Sequence, residues 1–236
     1  FSYMKDDSKD DLLQVSLVQF DISWKDPQGN LRRINQLIEG ITTDLIVLPE
    51  MFATGFIDDP NQTDLGGAIS LDWMKQTARR KNAAVTGSLA VEEKGVFYNR
   101  MYFVTPDQKV AFYDKKHLFD LGDEAKVFKP GQQPVLTNYR GWTFSLSICY
   151  DLRFPAWVRY HAPYDVFLCV ANWPTPRVNA WNSLLCARAI ENQCYAIGVN
   201  RVGDDEKVKG YPGQSNTFTP MGDSLGAKSG ECVLQH

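Results

Sequence analysis

The chain has 236 residues, 44% of them apolar, and a formal charge of −3. That size and composition suit one large domain with a sizeable buried core. No basic stripe is visible, which argues against nucleic acid as a partner, and the longest apolar runs, 44–48 and 165–171, are too short to span a bilayer.

The first eleven residues, FSYMKDDSKDD, are polar and lack the apolar core of a signal peptide. Met4 reads as the native start, with Phe1-Ser2-Tyr3 vector-derived. Cys149, Cys169, Cys186, Cys194 and Cys232 are odd in number and irregular in spacing, with no CxxC and no His-rich cluster. A disulfide framework and a structural zinc site are both poorly supported. Reduced thiols in a cytoplasmic protein fit better.

Leu12 to Phe20 alternates and predicts a strand. Asp26-Pro27 resembles a helix start, Asp as cap and Pro at the first position, and Leu31, Ile34, Leu37, Ile38 and Ile41 continue at helical spacing. Leu45 to Leu48 is a short apolar strand of the kind buried on both faces. Ser70 opens a second helix carrying Leu71, Met74 and Ala78. Strands are predicted over 83–91, 98–105 and 109–114, with Pro106-Asp107 turning between the last two.

After a loop from His117 to Pro130 the order returns. Strands over 135–137 and 142–148 lead into a helix starting near Asp151. A buried strand covers 165–171. Val178, Trp181, Leu184, Leu185 and Ala189 share one face of a long helix. Strands follow over 195–202 and 216–219, then a turn at 220–223 and a last strand over 231–235. Two halves of like order predict two packed sheets with helices outside. No linker divides them, so residues 12–236 form one domain after a polar extension, 1–11.

Three polar residues lie just beyond apolar strands: Glu50, Lys115 and Cys149. Ligands of α/β sheets gather at the carboxyl ends of strands, so the three can share one pocket. A thiol becomes a strong nucleophile on losing its proton. A carboxylate in a dry pocket has a raised pKa and can take that proton. A lysine ammonium stabilises a thiolate and a developing oxyanion. The step from strand to helix at Cys149 resembles a nucleophile elbow, with the Tyr150 N–H free to face a carbonyl. Each residue also has a plain reading: Glu50 at the surface, Lys115 and Lys116 as a solvated pair, Cys149 as packing, Glu124 in a solvated acidic loop 120–124. A Cys–His pair with His117 or His161 is not excluded by spacing, although His161 ends the predicted helix. No P-loop, GxGxxG or GxSxG is present.

Three stretches, DLIVLPEMFATGF, YDKKHLFD and SLSICYDLRFP, occur in the order in which the nitrilase, or carbon–nitrogen hydrolase, superfamily carries its signatures. The chain resembles that superfamily from about Leu13 to Asp223. The resemblance implies a Glu-Lys-Cys triad: Glu50 as general base, Lys115 supporting the tetrahedral intermediate, Cys149 as nucleophile. Glu124, ahead of Lys129-Pro-Gly131, would orient Lys115. It also implies an α/β fold, a four-layer α-β-β-α sandwich of two mixed sheets. No metal or organic cofactor is implied. A homodimer is, through the helix after the cysteine and the long helix near Val178 to Gln193. Family members usually continue into a C-terminal segment that crosses to the partner, whereas this chain stops at His236.

CYDLRFP and the run from Asn172 to Gly203 look most like omega-amidases, which hydrolyse the terminal amide of 2-oxoglutaramate or succinamate. Deaminated glutathione amidase, N-carbamoyl amino acid hydrolase and aliphatic amidase are the alternatives within the superfamily. A silent interaction protein on the same fold is the alternative outside catalysis. A dicarboxylate-like substrate needs a cation for its far carboxylate, and Arg153, Arg177 and Arg201 are candidates. Arg153 is equally open to pairing with Asp151 or fixing the elbow. Trp173 either walls the pocket or joins the core.

Overall fold

The computed structural model describes residues 10, 12–57, 64–119, 124–159, 162–205 and 209–236. Residues 1–9, His161 and the loop 120–123 lie outside these.

Strands β1 (Val15–Gln19), β2 (Leu45–Val47), β3 (Ala84–Glu93), β4 (Val96–Val104) and β5 (Val110–Asp114) belong to one sheet. The chain then adds β6 (Leu136–Tyr139), β7 (Trp142–Ile148), β8 (Val166–Ala171) and β9 (Tyr195–Asn200) to a second. A small ribbon, β10 (Val202–Gly203) and β11 (Tyr211–Pro212), precedes β12 (Asn216–Phe218) and β13 (Cys232–Gln235). The first sheet is six-stranded in the order β13-β1-β2-β3-β4-β5, and the second five-stranded in the order β12-β9-β8-β7-β6. Both are mixed: β1, β2 and β3 run parallel, as do β7, β8 and β9, with antiparallel strands outside them.

Helices cover the outer faces. Helix α1 (Pro27–Leu37) starts as its sequence predicts: the Asp26 side chain accepts from Gly29 N at 2.9 Å, with proline at the first position. Helix α2 (Ala68–Lys81) lies beside it, and Ile34, Ile38, Met74 and Ala78 pack on Val18, Ile46 and Val85. Short helices α3 (Glu124–Val127) and α4 (Pro155–Val158) follow. Helix α5 (Val178–Asn192) lays Trp181, Leu185 and Ala189 on Phe167, Cys169 and Ala196 of the second sheet. Between the sheets, Leu17, Val47 and Phe103 meet Phe144, Leu168 and Val199. This is the expected α-β-β-α sandwich.

Two expectations change in detail. β1 alternates in sequence, yet all five of its residues are buried, because the helix layer covers its second face. The helix expected from Asp151 is instead a 3-10 turn, Cys149–Arg153, followed by the four-residue α4. Pro155 is the cause: it excludes Phe154 from helical geometry, and Phe154 sits at φ −112° and ψ 85°. Among the described residues no helix is long and apolar enough to cross a membrane.

Candidate active site

Strand ends deliver four residues to one place. Glu50 lies three residues past β2, Cys149 directly past β7 and Asn172 directly past β8, while Lys115 follows the antiparallel β5. They line a cavity of about 290 Å³. Its walls include Trp24, Phe56, Phe119, Tyr150, Trp173 and Tyr211, and its other polar groups include Glu124, Arg153, Arg177 and Asp205.

Lys115 is the hub. Its Nζ donates to Glu50 Oε1 at 2.8 Å and to Glu124 Oε2 at 2.8 Å. All three side chains are buried. Asn99, inside β4, donates through Nδ2 to Glu50 Oε1 at 2.8 Å and to Glu124 Oε1 at 2.9 Å. Glu50 Oε2 accepts from Asn172 N at 2.8 Å, and Glu124 Oε2 from Phe119 N at 2.7 Å. The carboxylates are thus held by donors on every side, as buried charges require.

Burial raises the Glu50 pKa, the nearby Glu124 adds to the rise, and Lys115 opposes it. Burial would lower the Lys115 pKa, but the attraction of Glu124, Glu50 and Cys149 outweighs it, so the amine stays an ammonium. Burial and then the Glu50 charge push the Cys149 thiol well up, with Lys115 pulling the other way. At rest the sulfur therefore keeps its proton beside a base of raised affinity. Cys149 Sγ lies 3.9 Å from Asn172 O.

The elbow is real and strained. Cys149 has φ 46°, in the left-handed region that a residue with a side chain rarely enters. Asp151, fully buried, braces the turn. Its Oδ2 accepts from Ile148 N at 3.2 Å and from the Tyr113 hydroxyl at 2.8 Å. Its Oδ1 accepts from His117 N and lies 2.8 Å from His117 Nδ1. His117 is thus committed to Asp151 and stacks on Phe154 at 3.6 Å. The expected alternative of an Arg153–Asp151 pair gives way: the Arg153 guanidinium lies 5.1 Å over the Trp173 ring in the cavity wall. Trp173 takes both of its expected places, buried in the core and lining the cavity.

Arg177 also lines the cavity, 5.0 Å over Phe119. Arg201 does not. It is 1% exposed and donates to Val202 O, Asp21 Oδ1, Ile22 O and Asp204 O. A cation used up on one carboxylate and three carbonyls braces β10 and the loop after β1, so Arg201 leaves the set of substrate candidates.

Asn99 and Asn172 were not expected. Asn172 occupies a strand end, the same signal that marks Glu50 and Cys149. Asn99 lies mid-strand in Tyr98-Asn99-Arg100, where sequence shows only two adjacent polar residues within an otherwise apolar and aromatic strand.

The model of the carbon-nitrogen hydrolase family matches residues 14–231. The chain belongs to the carbon-nitrogen hydrolase family. Among curated carbon-nitrogen hydrolases and their kin, it is 43% identical to omega-amidase YafV of Escherichia coli (strain K12), covering 90% of this chain and 84% of that one. It is 37% identical to 2-oxoglutaramate amidase of Bacillus subtilis (strain 168), covering 88% and 83%. Its fold superposes on XC1258 from Xanthomonas campestris, a CN-hydrolase superfamily protein with an arsenic adduct in its active site. The TM-score there is 0.90 at 36% identity, over 95% of this chain and 89% of that one. The amidase from Nesterenkonia sp. AN1, with acrylamide added at its active-site cysteine, matches with a TM-score of 0.85 at 25% identity, over 95% and 92%. This carbon-nitrogen hydrolase is an enzyme acting on amides.

Proposed function

We propose that the protein is an omega-amidase, hydrolysing the terminal amide of a small dicarboxylic acid monoamide such as 2-oxoglutaramate or succinamate. The observation that carries the chemistry is the meeting of Glu50, Lys115 and Cys149 in one cavity. The curated omega-amidase and 2-oxoglutaramate amidase relatives support the substrate class.

The reaction is acyl transfer in two halves. Glu50 takes the proton from Cys149, and the thiolate attacks the amide carbon. The Lys115 ammonium and the Tyr150 backbone N–H hold the resulting oxyanion. Collapse of the intermediate breaks the carbon–nitrogen bond, and Glu50 returns its proton to the leaving ammonia. A thioester remains. Glu50 then takes a proton from water, the hydroxide attacks the thioester, and Cys149 leaves and recovers that proton. Glu124 orients Lys115 throughout. The acrylamide adduct on the cysteine of the Nesterenkonia amidase supports a nucleophilic Cys149.

Arg153 and Arg177 are the cations that meet the substrate's far carboxylate, with Trp173 behind Arg153. The cavity sits at or just below the small end of ligand pockets, which span roughly 300–1,000 Å³. That size favours a short acid monoamide over deaminated glutathione. A homodimer through the helical segment after Cys149 and through α5 remains part of the proposal.

Ammonia release from succinamate and 2-oxoglutaramate tests the reading. Wild-type protein should release it, and Cys149→Ala should not while keeping its circular dichroism. Arg153→Ala and Arg177→Ala should raise KM far more than they lower kcat. Turnover by Cys149→Ala would remove the nucleophile assignment, and unchanged KM in both arginine variants would remove the carboxylate site.

A further inference from the structure

Two buried glutamates share one lysine, and two carboxylates against one ammonium leave one net negative charge at the cavity floor. Two ionised carboxylates this close repel, and in a dry site such pairs ordinarily keep a proton between them. A shared proton would spoil Glu50 as a base. Among the described residues Lys115 is the one cation paired with either glutamate, so something else must help hold both in the charged form.

Asn99 occupies that position. It is fully buried in β4. Its Nδ2 carries two hydrogens and lies within bonding distance of Oε1 of each glutamate. The same two oxygens accept from Lys115 Nζ, at 2.8 and 3.1 Å. Two donors and two acceptors thus close a ring. The orientation of the amide is fixed by chemistry: turned over, its carbonyl would face two carboxylates. Its Oδ1 accordingly is left buried with no partner among the described residues, a cost the fold carries to keep both hydrogens on the glutamates. The Asn99 carbonyl also accepts from Lys115 N at 2.9 Å, so one residue fixes the lysine backbone as well as the carboxylates.

We propose that Asn99 is a positioning residue that keeps Glu50 and Glu124 ionised together, and so sets the pH above which Glu50 can act as base. The inference rests on the reading of Glu50 as general base and Cys149 as nucleophile. Hydrogen bonds to a charged carboxylate lower its pKa. Removing them favours the protonated form, so the acid limb of the activity profile moves to higher pH.

Two variants that keep the branched, four-heavy-atom side chain separate this role from mere packing. Asn99→Leu removes both donors, and Asn99→Asp puts a third carboxylate in their place. The acid limb of kcat/KM should rise by about one pH unit or more in Asn99→Leu, a tenfold loss of activity below it, and by more in Asn99→Asp. The pH dependence of Cys149 alkylation by iodoacetamide should move with it. That readout needs no amide substrate, so it stands even if the substrate assignment falls. Adding Glu124→Gln to Asn99→Leu removes the repulsion and should bring the limb back down. If Asn99→Leu alone does not fold, the same pairing should restore folding. An acid limb left at its wild-type position in both single variants, or a double variant that still fails to fold, overturns the role. Alkylation that is unaffected by pH in the wild type would instead bring down the general-base reading itself.

Discussion

Cys149 at φ 46° and Met51 at φ 52° place left-handed backbone at Cys149 and beside Glu50, two of the three residues proposed for catalysis. A side chain in that region costs about 1–2 kcal/mol, and glycine escapes most of it. The turn at Cys149 is what lifts the sulfur out of the β7 ladder and into the cavity. Cys149→Gly should therefore be the more stable of two inactive variants, exceeding Cys149→Ala by about 1 kcal/mol in urea unfolding, the reverse of their order in an ordinary strand or helix. Equal midpoints would mean an unstrained elbow. The strand-end position of Cys149 was legible in sequence, because an apolar run stops there. The strain was not, since cysteine carries none of the signals by which glycine announces a positive φ. Asn99 was hidden for a related reason: its significance comes from partners 49 and 25 residues away, and no local pattern encodes those.

Among the elements, boundaries set by proline and by capping side chains were the most readable. Asp26-Pro27 starts α1 as its chemistry requires. The run after Cys149 was overread as a helix, because Asp151 and Arg153 suit a helix start while Pro155 limits it to one 3-10 turn. Within that turn Asp151 braces the elbow through Tyr113 and His117, which gives DLRFP a positioning role quite apart from substrate choice. The start of α2 lies where the sequence is least informative. Asp64, 1% exposed, accepts from Ser70 N at 3.1 Å, and burial pushes its pKa up to about 6. The folded state therefore binds its proton more tightly than the unfolded state, whose value is near 3.8. Its contribution to stability is fully present below about pH 4 and is lost as pH rises to about 6. Asp64→Asn keeps an acceptor for Ser70 and removes the titration. It should be more stable than wild type by about 1–3 kcal/mol at pH 7.5, with the gap closing near pH 4. Parallel urea melts at the two pH values would show it, and a constant gap would place the effect elsewhere.

For the molecule as a whole, the sandwich was readable as two repeated halves, yet the site belongs to neither half. Glu50 and Lys115 come from the first sheet, Cys149 and Asn172 from the second, and Glu50 Oε2 to Asn172 N joins them across the interface. Packing of the layers must then reach the cavity. Gly198 in β9 tests this. A β-carbon there would lie 2.3 Å from Leu185 Cδ1 and 2.7 Å from Trp181 Cζ2. Both side chains are fully buried, and Trp181 is tied to Gln214 O at 2.9 Å, so neither can swing into solvent. Helix α5 must move outward, and overpacking of this kind costs about 1–3 kcal/mol. Trp181 also packs against Trp173, with ring centroids 5.6 Å apart, and Trp173 carries Arg153 in the cavity wall. The strain from Gly198→Ala thus has a route to the Arg153 wall of the cavity, while Glu50, Lys115 and Cys149 are held by strand ends on its floor. The variant should lose stability in urea and show a KM raised several-fold with kcat nearly unchanged. Lost stability with an unaltered KM would mean that the outer layer absorbs the strain before it reaches Trp173.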